Sequence, residues 1–123
     1  MKYLILIYRN PQSREIWENM SPAEQAAGYD AYAAFTEELM ATGELIVSEA
    51  LADPSLSKRV TVRGGRAVPT DGPFAEAKEQ LAGIFLVECD SIDRAVQIAA
   101  RMPGAEHLDV DVRPVLHLAE TEP

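Results

Sequence analysis

The sequence predicts an α+β fold: a ferredoxin-like split βαβ sheet with two helices on one face. Three observations carry this prediction. The segments run strand, helix, strand, hairpin, strand, helix, strand. Two of the strand segments are apolar on both sides, as in strands covered on two faces. Each helical segment carries one apolar stripe, so each covers sheet on one side only.

In chain order, residues 2–8 form a short β-forming run. Tyr3, Ile5 and Ile7 alternate with Leu4, Leu6 and Tyr8. Asn10-Pro11 ends it. Residues 12–20 read as a connector anchored by Ile16, Trp17 and Met20, with Trp17 as a lid over the core edge. Ser21-Pro22-Ala23-Glu24 starts a helix: Ser21 caps, Pro22 fits the first turn and Glu24 closes a capping box. That helix extends to Thr42, where Gly43 stops it. Its expected buried stripe is Tyr32, Phe35 and Leu39, with Ala27, Ala31 and Ala34 alongside. Alanines along it allow close approach to a sheet.

A second strand spans 45–51, followed by an Asp53-Pro54 loop. Residues 59–63 alternate polar and apolar, with Val60 and Val62 expected inward. Gly64-Gly65 is a two-residue hairpin signal, and 66–70 returns. Residues 83–89 form the next strand. Asp90 and Asp93 favour the start of a second helix, with Ile92, Ala95, Val96, Ala99 and Met102 as its stripe. Residues 107–116 form the last strand, placing His107, Asp109, Asp111 and Arg113 on one face. The chain is long enough to bury about two-thirds of its unfolded surface. Residues 1–118 are read as one domain and 119–123 as a polar tail.

Two helices cover one face of such a sheet. The other apolar face needs a cover, and a second copy of the sheet supplies it, so the chain is expected to form a homodimer.

The net charge of −9 disfavours nucleic acid and anionic membranes as partners. Lys58, Arg59, Arg63 and Arg66 form a local basic patch on the hairpin. The one cysteine, Cys89, excludes an internal disulfide and reads as a small core residue. No signal peptide or membrane span is visible, which points to a cytoplasmic protein. No His pair, Cys pair, phosphate loop or Gly-x-Ser-x-Gly elbow is present, so no metal or cofactor is expected.

The most informative stretch is 71–83, Asp-Gly-Pro-Phe-Ala-Glu-Ala-Lys-Glu-Gln-Leu-Ala-Gly. Gly72 and Pro73 dictate a turn, and Asp71 can bond the backbone ahead of it. Pro73 suits the start of a short coil through residue 80, with Phe74 pointing inward. Glu76, Lys78 and Glu79 would lie nearby. Residues 71–79 resemble the signature of DGPF-type proteins of the YCII-related family, with Ala77 where Thr is usual. Residues 1–8 and 110–115 also resemble that family's first and last strands. The resemblance implies a dimeric α/β-barrel assembly. It implies, too, a possible partner in an extracytoplasmic-type sigma factor, beside which such proteins are often encoded. The His–Asp pair associated with better-known members does not carry over, because the first predicted helix has no His. Asp71 is the acidic member's counterpart by position in the motif.

Two readings follow. In the first, the protein binds a small polar or carboxylated metabolite beside the signature loop. Asp71 would act there as acid or base, and Lys78, Glu79, Arg113 and Tyr8 would hold the ligand, with Arg113 suited to a two-pronged clamp on an anion. In the second, it is a non-catalytic accessory protein.

Overall fold

The structure is a computed structural model and describes residues 1–72 and 79–117. The expectations for Phe74, Glu76, Lys78, the coil after Pro73 and the polar tail therefore lie outside the described residues. The chain runs β1 (Lys2–Arg9), α1 (Pro11–Glu18), α2 (Pro22–Thr42), β2 (Leu45–Ala50), β3 (Lys58–Arg63), β4 (Arg66–Asp71), β5 (Gln80–Glu88), α3 (Ile92–Ala100) and β6 (Asp109–Pro114). The main sheet is antiparallel with order β2-β5-β1-β6. Leaving the β3–β4 hairpin aside, this is the strand order of a ferredoxin-like sheet, and the mixed α+β expectation holds.

Tyr3, Ile5 and Ile7 of β1 and Phe85 and Val87 of β5 are buried on one face, against Phe35 and Leu39 of α2 and Ala95, Ile98 and Ala99 of α3. Val110 and Val112 of β6 join that core. Cys89 is buried beside it. The opposite face carries Leu4, Leu6, Ile84 and Leu86, flanked by Val47, Arg113, Glu49 and Asp111 across the ladder. No described element lies over it.

Four expectations need correction. Residues 11–18 form a helix, α1, and not a connector. Asn10 accepts from Ser13 N while the Ser13 hydroxyl accepts from Asn10 N, and Pro11 takes the first turn. This third helix lies on the already covered side, because Trp17 packs edge-on to Tyr29 of α2 with ring centres 5.2 Å apart. Val60 and Val62 are exposed, because β3 and β4 form a separate two-stranded sheet instead of joining the main one. On α2 the alanines at 26, 27, 31, 33 and 34 are exposed and do not face the sheet, and the helix makes its close approach at Gly28, to Trp17 of α1. On α3, Ile98 replaces Ile92 and Val96 in the buried stripe.

Between α2 and β2, Glu44 accepts two hydrogen bonds from Arg94 of α3, 2.7 Å from Nη2 and 2.8 Å from Nε. The Arg94 guanidinium holds the Glu44 carboxyl below its ordinary value of 4.5, against a smaller opposing effect of burial. A carboxyl with a depressed folded-state pKa stabilises the fold above its unfolded value and loses that contribution as pH falls through the folded one. The melting temperature of the chain should therefore exceed that of Glu44→Gln at pH 7, and the gap should narrow below pH 4.5. A gap that stays constant on acidification would contradict this.

Candidate functional site

At the end of the sheet where β1 and β2 finish and β5 and β6 begin, the helices stand away from the strands and leave a cleft. Its volume is about 410 Å³, within the range of small-molecule sites. The walls are Trp17 and Met20 on α1 and beyond it, Gly28, Tyr29 and Tyr32 on α2, and Leu108 before β6. Arg9, Glu24 and His107 bring polar groups to it.

The floor is small by construction. Ile7 pairs with Gly83, but Tyr8 pairs with Leu81, so β5 bulges by one residue. In unbroken register Leu81 would share the helix-side face with Gly83 and Phe85. Instead it stands opposite Tyr8, and Ala82 and Ala50 line the cleft. Gly83 adds room of its own. A β-carbon there would sit 3.2 Å from the Glu49 carbonyl and 3.5 Å from the Tyr32 hydroxyl. Gly28 does the same for the far wall, where a β-carbon would approach Trp17 to 3.2 Å.

Tyr32 lies edge-on to Phe85, with ring centres 5.5 Å apart. Burial pushes its hydroxyl up to about 12, so it stays a neutral donor across the physiological range. That hydroxyl has no hydrogen-bond partner among the described residues. At the mouth, Asn10 Nδ2 donates to the His107 carbonyl and to Asp109, at 3.2 and 2.9 Å. These bonds tie the β1–α1 junction to the segment entering β6. Arg14 donates from Nη1 to Gln80 at 3.1 Å. Asp53 is held below its usual range by its bonds to Ser55 first, and then by the charges of Arg9 and Arg14. Arg9 and Arg14 thus stand near Asp53 on one side of the mouth, while Glu24 and Glu106 bring acids to the lining. The cleft combines aromatic walls with a hydroxyl, that of Tyr32, able to donate to an oxygen. His107 lines the cleft, and its Nε2 lies 3.8 Å from Glu106 Oε1.

The residues expected from the sequence fall in three places. Asp71 ends β4, is 85% exposed and pairs with Lys58 at 3.6 Å. Glu79 is exposed just before β5. Lys78 lies outside the described residues, although Gln80, two positions on, is the residue bonded to Arg14. Tyr8 and Arg113 come together with Asp111 on the uncovered sheet face, where they line a shallower groove along β6. The cleft residues Arg9, Tyr29 and Tyr32 were not expected as site residues. The available signal was Gly28 followed at once by Tyr29 and then by Tyr32, an aromatic pair on one side of a helix with a bare position beside it.

Comparison with known proteins agrees with this fold. The chain matches the YCII-related domain over residues 1–119. An uncharacterized protein of Rhizobium meliloti (strain 1021) is 29% identical over 105 residues, 85% of this chain and 82% of that protein. Among solved structures, the chain resembles a 5-chloro-2-hydroxyhydroquinone dehydrochlorinase from Burkholderia phenoliruptrix AC1100, in complex with 2,5-dihydroxybenzoquinone. That match has a TM-score of 0.55 and 18% identity, and it covers 95% of each chain.

Proposed function

We propose a function from one premise: this chain belongs to the YCII-related domain family. It binds a small molecule with a flat apolar body and an oxygen-bearing or anionic end, in the cleft between α1, α2 and the sheet. The observation that carries this reading is the half-buried Tyr32 hydroxyl, unpartnered among the described residues and facing an aromatic-walled cleft of ligand size. The structural neighbour's ligand, 2,5-dihydroxybenzoquinone, is a molecule of this class.

In this reading Trp17 and Tyr29 hold the flat body, Tyr32 donates to an oxygen, and Arg9 attracts the anionic end. Arg14 holds Gln80 at the start of β5, and Glu79, exposed just before it, is assigned to the mouth as a ligand-holding group. Lys78, next to it in sequence, is assigned the same role. Asp71, exposed and paired with Lys58, serves the turn and takes no proton from the ligand. Tyr8 and Arg113 face away from the cleft, on the side that a second copy covers. That second copy packs sheet to sheet, since Leu4, Leu6, Ile84 and Leu86 form a contiguous apolar patch that no described element covers.

A melting-shift panel of hydroxylated aromatic acids and quinones tests the site. Binders should raise the melting temperature of the chain. Tyr32→Phe and Arg9→Met should stay folded and weaken binding by about 10–100-fold, the worth of a hydrogen bond to a charged group. Asp71→Asn should leave both folding and binding unchanged. A panel with no binder, or binding indifferent to Tyr32→Phe and Arg9→Met, would favour the accessory-protein reading.

A further inference from the structure

The β3–β4 hairpin stands apart from the rest of the chain. All twelve residues of its strands are exposed, and two-stranded hairpins are marginally stable alone in water. Its two faces differ. Val60 pairs with Pro69 and Val62 with Ala67, so these four share one face. Val60 and Val62 are 62% and 69% exposed. Near the tip, Arg63 lies directly opposite Arg66, a like-charge pair that opposes hairpin formation unless an acid neutralises it. No described acid pairs with either.

The hairpin holds four cations and one acid, a net charge of three positive. The chain as a whole is nine negative, so the remainder is twelve negative. A basic arm on an acidic body is complementary to the body of another copy.

A receptor for the arm is present. Between α3 and the free edge of β6 runs an open groove of about 670 Å³. Ile92, Val96, Ala100, Ala105 and Leu108 line it, with Asp111 and Arg113 on the sheet side. Ile92 and Val96 are 43% and 50% exposed. Asp93 and Asp109 stand exposed at the starts of the two elements that bound it. The arm grows from the β2–β5 side of the sheet and the groove lies along β6, the opposite edge. The chain's own arm does not fill it.

We infer that the hairpin is an exchanged arm: its apolar face, with Val60 and Val62, seats in the α3–β6 groove of a second copy. This rests on the sheet-to-sheet pairing proposed above and adds a second, reciprocal contact to it. Thr61 and Val68 share the other face with Arg63 and Arg66 and stay on the solvent side; at the tip the long side chains of Arg63 and Arg66 reach round to the acidic body of the partner copy.

Cys89 is buried, so introduced thiols can be read without it. Chains carrying both Val62→Cys and Val96→Cys should give a covalent dimer with a short bismaleimide linker, and neither single variant should. Sedimentation of the untreated protein accompanies this test. A dimer by sedimentation with no covalent dimer from the double variant would overturn the arm and leave the sheet pairing standing. Covalent dimer from Val62→Cys alone would also overturn it, because the arms would then meet each other. A monomer by sedimentation would overturn both proposals. In a second test, Val60→Ser with Val62→Ser should weaken the dimer at least tenfold without unfolding the protomer. An unchanged dissociation constant would count against the arm.

Discussion

Replacing Phe85 with alanine should cost about 3–5 kcal/mol of folding stability. Phe85 is the largest fully buried side chain in the core. It sits at the middle of β5, between Ile5 on β1 and Ser48 on β2. From above, Tyr32 meets it edge-on and Phe35 lies 6.0 Å away in a tilted stack. Truncation removes both aromatic contacts and opens a void that sheet and helix cannot jointly close, because α2 is held at both ends. Ser21 and Glu24 cap its start, and Gly43 ends it in a left-handed conformation. Small domains retain only about 5–15 kcal/mol in total, so the variant should melt far below the parent. Chemical denaturation measures the difference, and a loss under about 1.5 kcal/mol would mean that the core repacks around a missing ring. The same variant should lose ligand, since Phe85 supports the ring of Tyr32.

Placing a lysine at Leu86 should abolish self-association while leaving the protomer folded. Leu86 lies on the uncovered face between Val47 and Leu4, in the row that ends at Arg113. On a lone sheet it borders water, and surface substitutions of this kind usually change stability by about 0.5 kcal/mol or less. Under a second sheet it would bury an unpaired charge among apolar side chains, a change costing several kcal/mol. Equilibrium sedimentation separates the two cases. The parent should show a dimer and a concentration-dependent melting temperature, and Leu86→Lys a monomer with neither. A parent that sediments as a monomer at micromolar concentration would remove the basis for the pairing.

Much of the fold was legible because it is written locally. Ser21-Pro22-Ala23-Glu24 and Gly43 mark both ends of α2 as the structure has them. Gly64 and Gly65, both with positive φ, mark the hairpin tip. The missed helix was written in the same language. Asn10 and Pro11 were read as the end of a strand, although Asn10-Pro11-Gln12-Ser13, with Ser13 three positions after Asn10, is also a helix start. Its short, polar sequence shows too little periodicity to decide between the two. The exposure of Val60 and Val62 was not legible, since alternation tells which residues share a face and not whether anything covers it.

The site was less legible than the fold. A nine-residue motif drew attention to Asp71, whose carboxylate lies in solvent beside Lys58. The cleft is assembled from scattered residues of β1, α1, α2, β2, β5 and the segment before β6. No spacing in the chain announces such a set. Tyr32 was recognised as part of the inward stripe of α2, but its role depends on the bare Gly83 beneath it, a relation fixed only by the pairing of β5 with β1.

The one-residue offset in β5 has an implication for how this family of folds can vary. Where a strand runs in perfect step, the room above it changes only by trading large side chains for small ones. Here an offset of one position has turned a leucine to the far side of the sheet and left an alanine to line the recess. Capacity is thereby set by register, and a relative whose strand of equal length pairs without the offset should present a shallower, leucine-filled recess under the same two tyrosines.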